Sequence, residues 1–164
     1  DLEFMISDLT GVQMEPKKDL FVSETKFRAA IADDSKLIRE MLRTSLKEAN
    51  FEVTEFTNGL DCWNYLNQMA SDSLDNSITK NTAYDIIITD IEMPQMDGFT
   101  LTKNIKQHSV LKNIPVLLYS SIITEELYHK GQSVGADEQM SKPDLHKVPH
   151  IAAELIKQKS KIIN

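Results

Sequence analysis

Five polar side chains stand where apolar runs of this chain stop. Asp33 and Asp34 follow Arg28-Ala-Ala-Ile-Ala32, and Asp90 follows Asp85-Ile-Ile-Ile-Thr89. Ser120 follows Ile114-Pro-Val-Leu-Leu-Tyr119, and Lys142 follows Glu138-Gln-Met-Ser141. Three carboxylates held together repel one another and resist ionisation, and a hard divalent cation removes that repulsion. Mg²⁺ fits such a set, because it takes few carboxylates, keeps waters and commonly bridges to phosphate. A lysine ammonium opposite it would neutralise further oxygens of a phosphoryl group, and Ser120 could donate a hydrogen bond to one of them. Asp90 is then a candidate nucleophile, since carboxylates form covalent aspartyl phosphates. Each residue alone has a plainer reading: a solvated acidic loop, a helix cap, a surface corner. Their common position at strand ends gives the set its weight.

That position depends on the elements around them. Ile86, Ile87 and Ile88 form a β-branched run suited to a strand buried on both faces. Pro94 cannot continue a central strand, and Asp97-Gly98 marks a turn able to start a helix. Arg28–Ala32 reads as a first strand, with Ser35 as N-cap of a helix whose apolar stripe is Leu37, Ile38, Met41, Leu42, Leu46 and Ala49. Asn50 suits its exit. Glu52–Phe56 alternates as a second strand near an edge, and Asn58-Gly59 turns into a helix carrying Leu60, Trp63, Leu66 and Met69. Residues 70–83 read as a long polar connection, either a functional loop or a surface insertion. Phe99 to Ile105 predicts a third helix and Ile114–Tyr119 a fourth strand. Thr124 caps a helix through Ser133, Glu138–Ser141 is a short fifth strand ended by Lys142-Pro143, and Val148 to Ile156 lies on a last helix.

Strand starts recur at about the 30-residue length of a strand–helix–strand unit. Five strands alternating with five helices imply an α/β fold, a doubly wound parallel sheet with helices on both faces. In such sheets ligands bind beyond the carboxyl ends of the strands, where the five polar residues lie.

With 164 residues, the chain suits one domain plus a remainder. A net charge of −7 argues against nucleic acid as partner. One cysteine, Cys62, permits no internal disulfide, fits a reducing compartment and reads as a buried inert thiol. No apolar run approaches the ~20 residues needed to span a bilayer, and no signal-peptide pattern opens the chain. Residues 1–26 read as the remnant of a preceding domain plus a connector around Glu15-Pro-Lys-Lys-Asp19, or as an arm packed on the main domain, which covers 27–164.

Asp33-Asp34, Asp90 with Met93-Pro94 and Asp97-Gly98, Ser120, Gly135-Ala-Asp137 and Lys142-Pro143 together resemble the receiver domain of bacterial response regulators, over roughly Phe27 to Lys159. The resemblance implies a flavodoxin-like, CheY-like sheet of strand order 2-1-3-4-5. It implies that Asp90 accepts a phosphoryl group from the phosphohistidine of a sensor kinase. Asp34, Asp90 and the backbone carbonyl of Glu92 would bind Mg²⁺ directly, and Asp33 through a metal-bound water. Ser120 and Lys142 would contact the phosphoryl oxygens and report them to the face formed by the fourth helix, fifth strand and fifth helix. It further implies a cytoplasmic signalling switch, catalysing only its own phosphorylation and dephosphorylation.

Leu118-Tyr-Ser-Ser-Ile122, Val134-Gly-Ala-Asp137 and the connection before the third strand are similar to CheV-type chemotaxis coupling proteins. There a CheW-like domain precedes the receiver, and Asp1–Leu9 is similar to the end of one. The implied partners are a CheA-type histidine kinase and, through the missing CheW-like part, the chemoreceptor–kinase array. One departure matters: the position where many receivers carry a rotating Tyr or Phe is Gln139. Ile122 flanks the expected phosphoryl site, where its bulk would limit attacking water and lengthen the phosphorylated lifetime. Two other readings stand: a degenerate receiver used only for interaction, and a haloacid-dehalogenase-like phosphatase. The latter requires a second Asp where this chain has Glu92 and a nucleophile on the first strand.

Overall fold

Apolar strand runs and amphipathic stretches alternate through a computed structural model that describes residues 20–75 and 84–163. The strands are β1 (Phe27–Ala32), β2 (Phe51–Phe56), β3 (Ile86–Asp90), β4 (Val116–Ser120) and β5 (Glu138–Ser141). The helices are α1 (Lys36–Glu48), α2 (Gly59–Asp75), α3 (Gly98–Gln107), α4 (Glu125–Ser133) and α5 (Val148–Ile163). A 3-10 helix, Lys142–Lys147, joins β5 to α5. All strand pairs are parallel, in the order β2-β1-β3-β4-β5. This is the doubly wound, CheY-like architecture.

The order puts β3 in the centre, which explains its composition. Every residue of β3 is buried, whereas edge strand β2 buries only Phe51. One sheet face packs Ile31, Ile86, Ile88, Leu117 and Tyr119 against Leu42 and Leu46 of α1 and Val148, Ala152 and Ile156 of α5. The other packs Ala30, Ala32, Ile87 and Val116 against Cys62 and Leu66 of α2 and Leu101 and Ile105 of α3.

Local chemistry sets the helix ends. Ser35, Asp97 and Thr124 cap α1, α3 and α4 by accepting from Ile38, Thr100 and Leu127 backbone N–H at 3.3, 2.7 and 3.2 Å. Asn50 leaves α1 with φ of 73°, in the left-handed region that Asn tolerates.

Four expectations change. The α1 stripe is narrower than its apolar residues suggest, since Leu37 and Met41 are 67% and 53% exposed. Adjacent helical residues lie about 100° apart, so Ile38 and Leu42 facing the sheet turn Leu37 and Met41 away from it. β4 starts at Val116, not Ile114; Pro115 has no N–H for the ladder, and its carbonyl instead accepts from Ile87 N at 3.0 Å. α2 continues through Asp75, shortening the expected connection, whose residues 76–83 lie outside the described ones. Lys142-Pro143 opens a 3-10 helix, where the proline sits in the first turn.

Of the expected N-terminal piece, residues 20–26 are described and run along the domain. Ser23 N donates to Ala49 O at 2.9 Å, Asn50 Nδ2 donates to Ser23 O at 3.0 Å, and the Phe21 ring lies 5.0 Å from that of His150.

Candidate functional site

β3 delivers Asp90 to its carboxyl end with the side chain 4% exposed. The loop after it folds back tightly. Gly98 N donates to Ile91 O at 2.8 Å, and a Cβ on Gly98 would lie 2.2 Å from Asp90 O. Glycine is therefore required for this close backbone approach. The same return brings Glu92 N to 3.4 Å from Asp90 Oδ1, while the Glu92 side chain is exposed.

β1 delivers Asp33 and Asp34. Asp33 is buried, and its carboxylate accepts from Ser35 N at 2.7 Å and from the Tyr119 hydroxyl at 2.6 Å. Its backbone carbonyl accepts from Arg39 Nη1 at 2.7 Å, and Arg39 is itself paired with Glu55 at 3.7 Å. Asp34 is exposed. Carboxylate oxygens of Asp33, Asp34 and Asp90 lie within 4.8 Å of one another. Lys142, carried in from β5, places Nζ 3.3 Å from Asp90 Oδ2. Ser120 is buried at the end of β4, in register with Ser141, which precedes Lys142.

Burial raises the Asp90 carboxyl to about 6, Asp33 adds to the rise, and Lys142 and the Glu92 N–H oppose it. Burial, then the Asp33 charge, pushes the Tyr119 phenol far above its ordinary range, so it remains a proton donor. Three clustered carboxylates with oxygen-only donors fit Mg²⁺ rather than a softer metal. A cavity of about 690 Å³ opens over Asp34 and Asp90, bounded also by Glu92, Met93, Phe99 and Lys142 among others. The arrangement offers an ionisable nucleophile, a cation-binding set and a fixed ammonium around space for a phosphoryl group.

Not every expected residue comes to this place. Ile122 is 68% exposed and does not bound the cavity. Gln139 lies away from it, on β5, where Nε2 donates to Tyr128 O of α4 at 2.8 Å and Oε1 is buried without a partner. Gln139 also lies against Gly131, where an added Cβ would overlap its amide. The Gly135-Ala-Asp137 motif serves the opposite end of the sheet. Asp137 accepts from Val116 N at 2.8 Å and pairs with Lys106 at 2.7 Å and Lys159 at 3.1 Å. Sequence reasoning missed Tyr119, Arg39 and Lys130. Lys130 lies 4.8 Å over the Phe99 ring and borders the cavity. Only the adjacency of Tyr119 to Ser120 could have hinted at its role; nothing local marked the other two.

Residues 29–152 match the family described as the response regulator receiver domain. The chain belongs to that family. Over 138 residues this receiver is 32% identical to the 3',5'-cyclic-nucleotide phosphodiesterase regA of Dictyostelium discoideum, covering 84% of this chain but 15% of that protein. Over 148 residues it is 29% identical to chemotaxis protein CheV3 of Helicobacter pylori, covering 90% of this chain and 47% of that one. The chain thus spans less than half of either relative. The receiver domain of the Francisella response regulator 1452 superposes with a TM-score of 0.67 at 24% identity, covering 81% of this chain and 98% of that one, a likeness of fold. Among the described residues no helix is long and apolar enough to cross a membrane.

Proposed function

We propose that this receiver accepts a phosphoryl group on Asp90 from the phosphohistidine of a CheA-type kinase, and that the modified domain modulates receptor–kinase coupling or adaptation in chemotaxis. The observation that carries this reading is the buried Asp90 carboxylate, with Lys142 Nζ at 3.3 Å and two further carboxylates within 4.8 Å. Similarity to a CheV protein supports the chemotaxis assignment. A preceding CheW-like domain would, on this reading, provide attachment to the receptor–kinase array. On this reading the chain works in the cytoplasm with its phosphodonor.

An Asp90 carboxylate oxygen attacks phosphorus, an O–P bond forms, and the P–N bond breaks as the donor imidazole leaves and takes a proton. With its carboxyl raised to about 6, Asp90 is mostly ionised at neutral pH and ready to attack. Asp33, Asp34 and Asp90 would hold Mg²⁺, with the Glu92 carbonyl as a further ligand. The bound ion would neutralise charge on the phosphoryl oxygens. Lys142 stabilises the same oxygens and Ser120 donates to one. Positioning and charge neutralisation suffice for such a transfer.

Gln139 favours a second reading, a phosphorylation-independent interaction module. Its amide is anchored to α4, so no aromatic ring is available to turn at that position. The phosphatase reading loses ground because Glu92 brings its backbone N–H, not a second acid, to Asp90.

Intact mass after incubation with acetyl phosphate and Mg²⁺ tests the proposal. One added phosphoryl group on the wild type, absent in Asp90→Asn and in EDTA, is expected. An unmodified wild type of intact fold selects the interaction module.

A further inference from the structure

Asp33 and Tyr119 are separated by a strand. Asp33 follows β1, Tyr119 lies in β4, and β3 runs between them with Asp90 in register with Tyr119. The phenol spans that gap and donates to Asp33 Oδ2 at 2.6 Å. Ser35 N holds the other oxygen at 2.7 Å, and Arg39 holds the Asp33 carbonyl at 2.7 Å. Ser35 and Arg39 belong to Asp33's own loop and helix. Among the described residues, only the hydrogen bond from Tyr119 ties the Asp33 side chain to the strands presenting Asp90 and Ser120.

The electrostatics give this tie work to do. Asp33 and Asp90 repel each other, so contacts other than their own must hold the two acids close. A neutral donor on Oδ2 offsets part of the Asp33 charge and fixes the rotamer, while each carboxylate oxygen keeps a further lone pair for a cation or its water. Groups that orient a metal ligand from behind commonly govern affinity. A ring needed only for packing could be phenylalanine, since the rest of Tyr119 is enclosed by the apolar core.

We infer that Tyr119 is a positioning residue for the divalent-cation site, its hydroxyl setting the orientation in which Asp33 meets the cation. The inference rests on the Mg²⁺ site proposed above. Calorimetric Mg²⁺ titrations of the wild type, Tyr119→Phe, Asp33→Ala and the double variant test it. The Mg²⁺ Kd of Tyr119→Phe should rise about 10-fold. In the Asp33→Ala background the second substitution should change Kd little, because the acceptor is gone. In the wild type, the Tyr119 ring resonances should shift as Mg²⁺ is added.

An unchanged Kd in Tyr119→Phe overturns the proposal, whatever happens to its melting temperature in EDTA. So does an equal loss with and without Asp33, or a Tyr119 resonance that ignores Mg²⁺. A wild type that binds no Mg²⁺ removes the cation site itself and this role with it.

Discussion

Replacing Asp90 by Asn should stabilise the cation-free protein, by an amount that depends on pH. Asp90 is buried beside Asp33, and its carboxyl rises from 3.8 to about 6 on folding. The folded state therefore holds this proton more tightly than the unfolded chain, so the contribution of Asp90 to stability is fully present below pH 3.8 and is lost as pH climbs through about 6. Two pKa units correspond to about 3 kcal/mol at pH 8 and, by the same linkage, to roughly half that at pH 5. Asn has nearly the shape of Asp and never ionises. In EDTA, Asp90→Asn should thus exceed the wild type by up to about 3 kcal/mol at pH 8, with the gain shrinking towards zero below pH 4. Urea unfolding of both proteins at pH 5, 6 and 8 measures it. Mg²⁺ should narrow or reverse the difference, because the cation stabilises only a protein that binds it tightly. Equal stabilities at pH 8, or a gain independent of pH, would refute the argument that Asp90 carries an ionisation penalty.

Gly98→Ala places a Cβ 2.2 Å from Asp90 O, so the loop must move. The expected loss is about 1–3 kcal/mol in urea unfolding, accompanied by slower phosphorylation of Asp90. Burial pushes the Cys62 thiol up to about 12, and no thiolate forms at ordinary pH. Iodoacetamide at pH 8 should label Cys62 only after unfolding, as read by mass spectrometry.

Much of the fold lies in local pattern. Ile86-Ile-Ile88 marks a doubly buried strand because β-branched side chains suit a pleat with neighbours on both faces, and β3 is the central strand. Ser35 and Thr124 announce helix starts because their hydroxyls satisfy N–H groups three residues on. Leu37 and Met41 misled because apolar identity shows what a residue tolerates, not which arc of a helix meets the sheet. The Gly135-Ala-Asp137 motif reads as part of the functional pattern, yet Asp137 anchors the end of the sheet away from the cavity.

The sequence by itself determined the strand ends that carry Asp33, Asp34, Asp90, Ser120 and Lys142, because alternation of strands and helices puts such ends on one edge. The tertiary structure alone decided how those groups meet: Lys142 on Asp90 at 3.3 Å, Arg39 bracing the Asp33 carbonyl, and the Tyr119 hydroxyl reaching Asp33 from 86 residues away. Periodicity is a property of neighbouring residues and can be read along the chain. A hydrogen bond across an intervening strand depends on sheet order, register and rotamer together, and these exist only once the core has packed.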